Sequence, residues 1–206
     1  MRRIGHRGAK GHVPENTIAS FQKAIDLGCD EIETDVWLID DRLVISHDRP
    51  ERAAGLLTLA ETLDFCRGKI ALNLELKNAG SDTRAMATGE AVARWIGDKP
   101  RDDVYVSSFW YEALVGARSA APSLRRAFVF GAAPDIAAVL AQARALGLWA
   151  LHPECHYVTP ARVAASHGAS FRVNTWTVND PAEIAQLAEW GVDGIMSDYP
   201  ERVPKD

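Results

Sequence analysis

Eight strand-like runs rich in Val, Ile and Leu alternate with helical patterns along residues 1–206, no Ser/Pro-rich linker divides them, and no Gly-rich nucleotide turn follows the first run. These observations predict an α/β fold in one domain, a closed (β/α)8 TIM barrel rather than a doubly wound open sheet. A chain of 206 residues, 47% of them hydrophobic, can remove roughly 70% of its extended surface from water, which excludes disorder and a disulfide-stapled miniprotein.

The strands are placed at 3–6, 31–36, 70–76, 103–107, 125–130, 149–151, 171–175 and 193–196. Helices are placed at 16–27, 58–66, 82–96, 110–119, 134–146, 160–167 and 181–190, with a short last one at 200–204. The first helix opens at Glu15-Asn16-Thr17, buries Ile18, Phe21, Ala24 and Ile25, and stops at Gly28. Asn179-Asp180-Pro181 opens another, which Gly191 ends. The run Leu43–His47 after Asp40-Asp41 reads as a hairpin partner of the second strand, not as a barrel strand of its own. Ala132 to Ala145 reads as the outer face of a barrel helix.

Lys and Arg number 23 against 28 Asp and Glu, a net charge of −5 with no basic stripe, so no nucleic-acid grip is expected. The Arg2-Arg3 pair is followed by one apolar residue before Gly5, and no run approaches the ~20 apolar residues of a membrane span. The expectation is a cytoplasmic protein without an integral membrane segment, with oligomeric state left open. Cys29, Cys66 and Cys155 are odd in number and far apart, which predicts reduced thiols.

In a barrel of this kind, polar residues late in a strand line the active-site rim. The first strand ends Gly5-His6-Arg7-Gly8, placing an imidazole and a guanidinium there. In Glu31-Ile32-Glu33-Thr34-Asp35-Val36 the period of two puts Glu33 and Asp35 on one face, and in Leu72–Lys77 it puts Asn73, Glu75 and Lys77 inward. His47-Asp48 completes the set. Three convergent carboxylates repel one another unless something positive sits among them. A hard divalent cation held by Glu33, Asp35 and Glu75 answers this, since the ligands are all oxygen. With Lys77 and Arg7 added the centre carries about +1, complementary to a phosphodiester, and His6 and His47 can divide the proton work of its hydrolysis.

The residues Gly5-His6-Arg7-Gly8, Pro14-Glu15-Asn16-Thr17, Glu33-Thr34-Asp35, His47-Asp48, Glu75-Leu76-Lys77 and Trp176-Thr177-Val178-Asn179, in this order, resemble the glycerophosphodiester phosphodiesterases. The resemblance implies a TIM-like barrel, a divalent cation (Mg²⁺ or Ca²⁺), and hydrolysis of glycerophosphodiesters to sn-glycerol 3-phosphate and an alcohol. It implies His6 and His47 as the acid/base pair, Glu33, Asp35 and Glu75 as metal ligands, Arg7 and Lys77 on the phosphate, and Glu15 in support. Attack by water and prior attack by a neighbouring substrate hydroxyl are both open. Family members carry an insertion after the His-Asp pair; here only Arg49 through Lys69 precede the third strand, so the pocket is less walled and a bulkier diester becomes acceptable. A phospholipase C- or D-like activity is the alternative, for which no apolar rim is obvious, and a non-catalytic phosphoryl-binding barrel is the least favoured.

Trp176, just after the seventh strand, packs either on a glycerol skeleton or in the barrel core. His152-Pro153-Glu154-Cys155-His156 is an incomplete zinc set, and His152 reads as a loop histidine. Ser107-Ser108-Phe109-Trp110 reads equally as a pocket wall or as a capping Ser with packed aromatics. His12 and His167 are expected on the surface.

Overall fold

Strands β1 (Arg2–His6), β2 (Glu31–Ile39), β4 (Ala71–Leu76), β5 (Val104–Ser108), β6 (Arg126–Phe130), β7 (Ala150–Pro153), β8 (Arg172–Thr175) and β9 (Gly194–Ser197) run parallel, and β1 pairs with both β9 and β2. That second pairing, Ile4 beside Glu31 and His6 beside Glu33, closes the sheet into a barrel. This computed structural model describes residues 1–78, 80–99, 102–132 and 134–205; Ala133, inside the Ala132–Ala145 stretch, lies outside them. Helices α1 (Ile18–Asp26), α2 (Leu59–Cys66), α3 (Asp82–Ile96), α4 (Tyr111–Ala120), α5 (Ile136–Leu146), α6 (Pro160–Gly168) and α7 (Pro181–Glu189) make the crossovers.

Strand alternation explains the layering. Ile32, Val36, Leu72, Leu74, Leu76 and Val106 are buried outward against Phe21 and Ala24 of α1, Leu59 and Leu63 of α2 and Val92 of α3. Each such side chain contributes about 1.5–3 kcal/mol by leaving water. The inward positions of the same strands are polar: Glu31, Glu33, Asn73 and, across the barrel, His152 and Asn174 are all buried. At the floor, Tyr105 donates to Glu31 at 2.5 Å and Arg2 pairs with the same carboxylate at 2.7 Å.

The hairpin expectation holds: β3 (Arg42–Ile45) runs antiparallel to β2, with Ile39 opposite Arg42, and Asp40 and Asp41 at φ 49° and 59° form the two-residue turn. Thr17 caps α1, accepting from Ser20 N, and Asp180 caps α7, accepting from Ala182 N and Glu183 N. Two expectations change. The last helix is a single 3₁₀ turn, Pro200–Arg202. The sixth barrel strand extends to Pro153, so His152 is a strand residue, fully buried inside the barrel, and not a loop histidine. A Pro at a strand's end surrenders little, since the ladder stops there.

Candidate active site

The C-terminal ends of β2 and β4 lie side by side with Asp35 in register with Glu75 and Glu33 with Asn73, so their period of two turns three carboxylates into the barrel mouth. One oxygen each of Glu33, Asp35 and Glu75 lie within 4.8 Å of one another. Burial, then the charges of Asp35 and Glu75, push the Glu33 carboxyl well above its ordinary range. Burial also raises Glu75, opposed by Lys77 and aided by Asp35. Glu33 Oε1 is buried without a hydrogen-bond partner. An unsatisfied buried carboxylate oxygen among like charges fits a bound divalent ion, whose charge would offset both costs.

The cations sit against this cluster. Lys77 Nζ is 2.9 Å from Asp35 Oδ1 and 2.7 Å from Glu75 Oε1. Burial alone would depress Lys77, but these carboxylates outweigh it and raise its pKa. Arg7, at φ 50°, donates its backbone N–H to Glu33 Oε2 at 3.1 Å, while its guanidinium lies 3.4 Å from Asp35 and meets both oxygens of Glu15 at 3.0 Å. The turn needs Gly8: at its φ of +91° a Cβ would stand 2.3 Å from Ser20 Oγ. Asn16, which the sequence marks as helix punctuation and as part of the Pro14–Thr17 motif without a role of its own, is buried at φ 55°, donates to Asp35 Oδ2 at 2.9 Å and accepts from Thr34 Oγ1 at 2.7 Å.

The two histidines flank the carboxylates from different elements. His6, at the end of β1, points Nε2 at Glu33 Oε2, 4.0 Å away, and joins Asp198 Oδ1 through Nδ1 at 2.6 Å. His47, beyond β3, bonds Asp48 at 2.8 Å and shares a cleft of about 300 Å³ with Glu75, Lys77, Phe109 and Trp110. Asp198, like Asn16, has no role in the sequence reading. It follows β9 at the same rim, so the rule that selected His6 and Glu75 also selects it.

Trp176 is half-buried at the mouth, lines one cavity with His6, Glu33 and Glu75, donates Nε1–H to His152 O at 2.8 Å, and meets Phe109 edge-on at 5.4 Å. Ser107 Oγ faces the same cavity without a partner, whereas Ser108 Oγ donates to Leu76 O and accepts from Trp110 N. Phe109 and Trp110 are 42% and 38% exposed, so the mouth does carry an apolar rim, one that short aromatic stretches do not reveal in sequence. Glu154, Cys155 and His156 also place ligand atoms within 4.8 Å, at a 3₁₀ turn where Glu154 and Cys155 are half-buried and His156 is exposed. His12 and His167 are exposed and paired with Glu201 and Asp193. The three cysteines are free, with burial pushing Cys29 and Cys66 up to about 12. No helix among the described residues is long and apolar enough to cross a membrane.

A family model described as the glycerophosphoryl diester phosphodiesterase family matches residues 6–64 and 50–202. A glycerophosphodiester phosphodiesterase of Bacillus altitudinis is 30% identical over 242 residues, 98% of this chain and 96% of that one. One of Caldanaerobacter subterraneus is 27% identical over 236 residues, covering 96% and 94%. An Oleispira antarctica phosphodiesterase solved in complex with the product sn-glycerol-3-phosphate superposes with a TM-score of 0.86 at 27% identity, covering 97% of this chain and 94% of that one. The two matched segments overlap at 50–64, in the stretch between His47-Asp48 and β4. The chain belongs to the glycerophosphoryl diester phosphodiesterase family, a family of enzymes.

Proposed function

We propose that the barrel mouth hydrolyses a glycerophosphodiester to sn-glycerol 3-phosphate and an alcohol, with Glu33, Asp35 and Glu75 holding Mg²⁺ or Ca²⁺. The observation that carries this reading is the convergence of those three carboxylate oxygens within 4.8 Å, with His6 on one side and His47 and Lys77 on the other. A bound divalent ion supplies charge stabilisation to the phosphoryl oxygens. Lys77 and Arg7 add positive charge where the phosphate would lie, and Trp176 offers an apolar wall to the glycerol carbons.

The proton account balances with two imidazoles. As the oxygen of the attacking hydroxyl bonds to phosphorus, one histidine takes its proton; as the phosphorus–oxygen bond to the alcohol breaks, the other gives a proton to the departing oxygen. The test is incubation with glycerophosphocholine, glycerophosphoethanolamine and an aryl phosphodiester while following sn-glycerol 3-phosphate and phenol. Release of glycerol 3-phosphate supports the reading, and turnover of none of the three refutes it.

The exposed Phe109 and Trp110 beside His47 support a second reading, in which the departing alcohol is bulky and apolar, as in a lysophospholipid. A human lysophospholipase D is 40% identical over 65 residues, 31% of this chain and 21% of that one.

A further inference from the structure

We propose that Asp198 is a positioning residue that locks His6 in the tautomer protonated at Nδ1, so that Nε2 faces the carboxylate cluster as a lone pair and His6 is the proton acceptor of the reaction. The inference rests on the phosphodiesterase reading above and adds a residue and an assignment to it.

Two backbone amides, which can only donate, set the orientation of the Asn179 side chain and with it the direction of its bond to Asp198. Asp198 N donates to Asn179 Oδ1 at 2.9 Å, and Tyr199 N donates to Ser197 Oγ at 3.1 Å, so the Ser197 hydroxyl proton goes to Asn179 Oδ1 at 3.0 Å. With its oxygen taken twice, Asn179 must present Nδ2 to Asp198 Oδ2, 2.9 Å away. The Asp198 carboxylate therefore accepts there, and, ionised, it has no proton to give, so its other oxygen accepts from His6 Nδ1 at 2.6 Å. In the neutral imidazole that leaves Nε2 without a proton. Burial opposes the Asp198 charge, but the bonds from His6 and Asn179 outweigh it and hold the carboxyl below its ordinary range. The partner of His47 differs: the Asp48 side chain is 95% exposed, so that pair is solvated and fixes little. The asymmetry leaves His47 to give the proton to the departing oxygen.

Asp198→Asn tests this with almost no change in shape. Asn179 still demands an acceptor, so the new amide turns its oxygen to Asn179 and its NH2 to His6 Nδ1, which can then only accept, and the proton moves to Nε2. Long-range ¹⁵N–¹H correlation spectra of the full chain show which ring nitrogen carries the proton. The wild type is expected to show Nδ1–H at His6 and the variant Nε2–H, with kcat down about 10²–10⁴-fold, KM little changed and the melting temperature retained. A wild-type His6 protonated at Nε2, a variant that keeps the wild-type tautomer, or a variant whose kcat stays within about threefold of wild type overturns the inference. The wild-type spectrum needs no variant to fold. A wild type without diester turnover would defeat the phosphodiesterase reading, and the tautomer measurement would still decide the lock.

Discussion

At the scale of single residues, the site is an exercise in charge compensation. Replacing His6 or His47 by Ala is expected to lower kcat about 10²–10⁴-fold while divalent-ion affinity, measured by calorimetry, stays near that of wild type, because neither ring belongs to the carboxylate cluster. Unchanged turnover would remove the residue from the proton account. Glu33, Asp35, Glu75, Lys77 and His6 were legible in the sequence because polar residues at period two late in an apolar strand have few structural reasons to be there. Asn16 was not, because it does its work by holding another side chain. Asp198 falls under the same rim rule, but only its folded contact with His6, 192 positions away, shows what it does there.

At the scale of elements, the βα alternation carried most of the fold, since apolar period two against period 3.6 is a strong signal in long runs. The boundary of β7 was misplaced because Pro153 argues locally for a loop, while pairing of Val129 with His152 and Phe130 with Pro153 keeps the strand going. The β2–β3 hairpin delivers His47 to the mouth through two aspartates held at positive φ. Asp41→Gly removes the left-handed strain and is expected to raise stability by up to about 1 kcal/mol in thermal denaturation. A lower melting temperature would mean that the Asp41 side chain holds the turn by bonds of its own.

At the scale of the whole molecule, titratable groups are buried inside the barrel from Glu31 at the floor to Glu33 near the mouth, with His152 between neighbouring strands, which ties stability to pH. Burial lowers the pKa of His152 to about 3, so it stays neutral in the fold while the unfolded chain binds a proton below about 6.5. The contribution is full above about pH 6.5 and is lost progressively as pH falls toward 3, amounting at most to about 5 kcal/mol. His152→Gln is therefore expected to flatten the acid limb of a stability-versus-pH curve from chemical denaturation; an unchanged slope would show that His152 does not set it.

On the proposed function, the Glu33–Asp35–Glu75 cluster holds the ion on which turnover depends. The direct measurement is diester turnover against free Mg²⁺ or Ca²⁺ after EDTA stripping, for the wild type and Glu33→Gln. Turnover that vanishes on stripping, returns with the ion, and needs distinctly more ion in the variant is the predicted result. Full turnover in EDTA, or identical ion dependence in the two proteins, would contradict it.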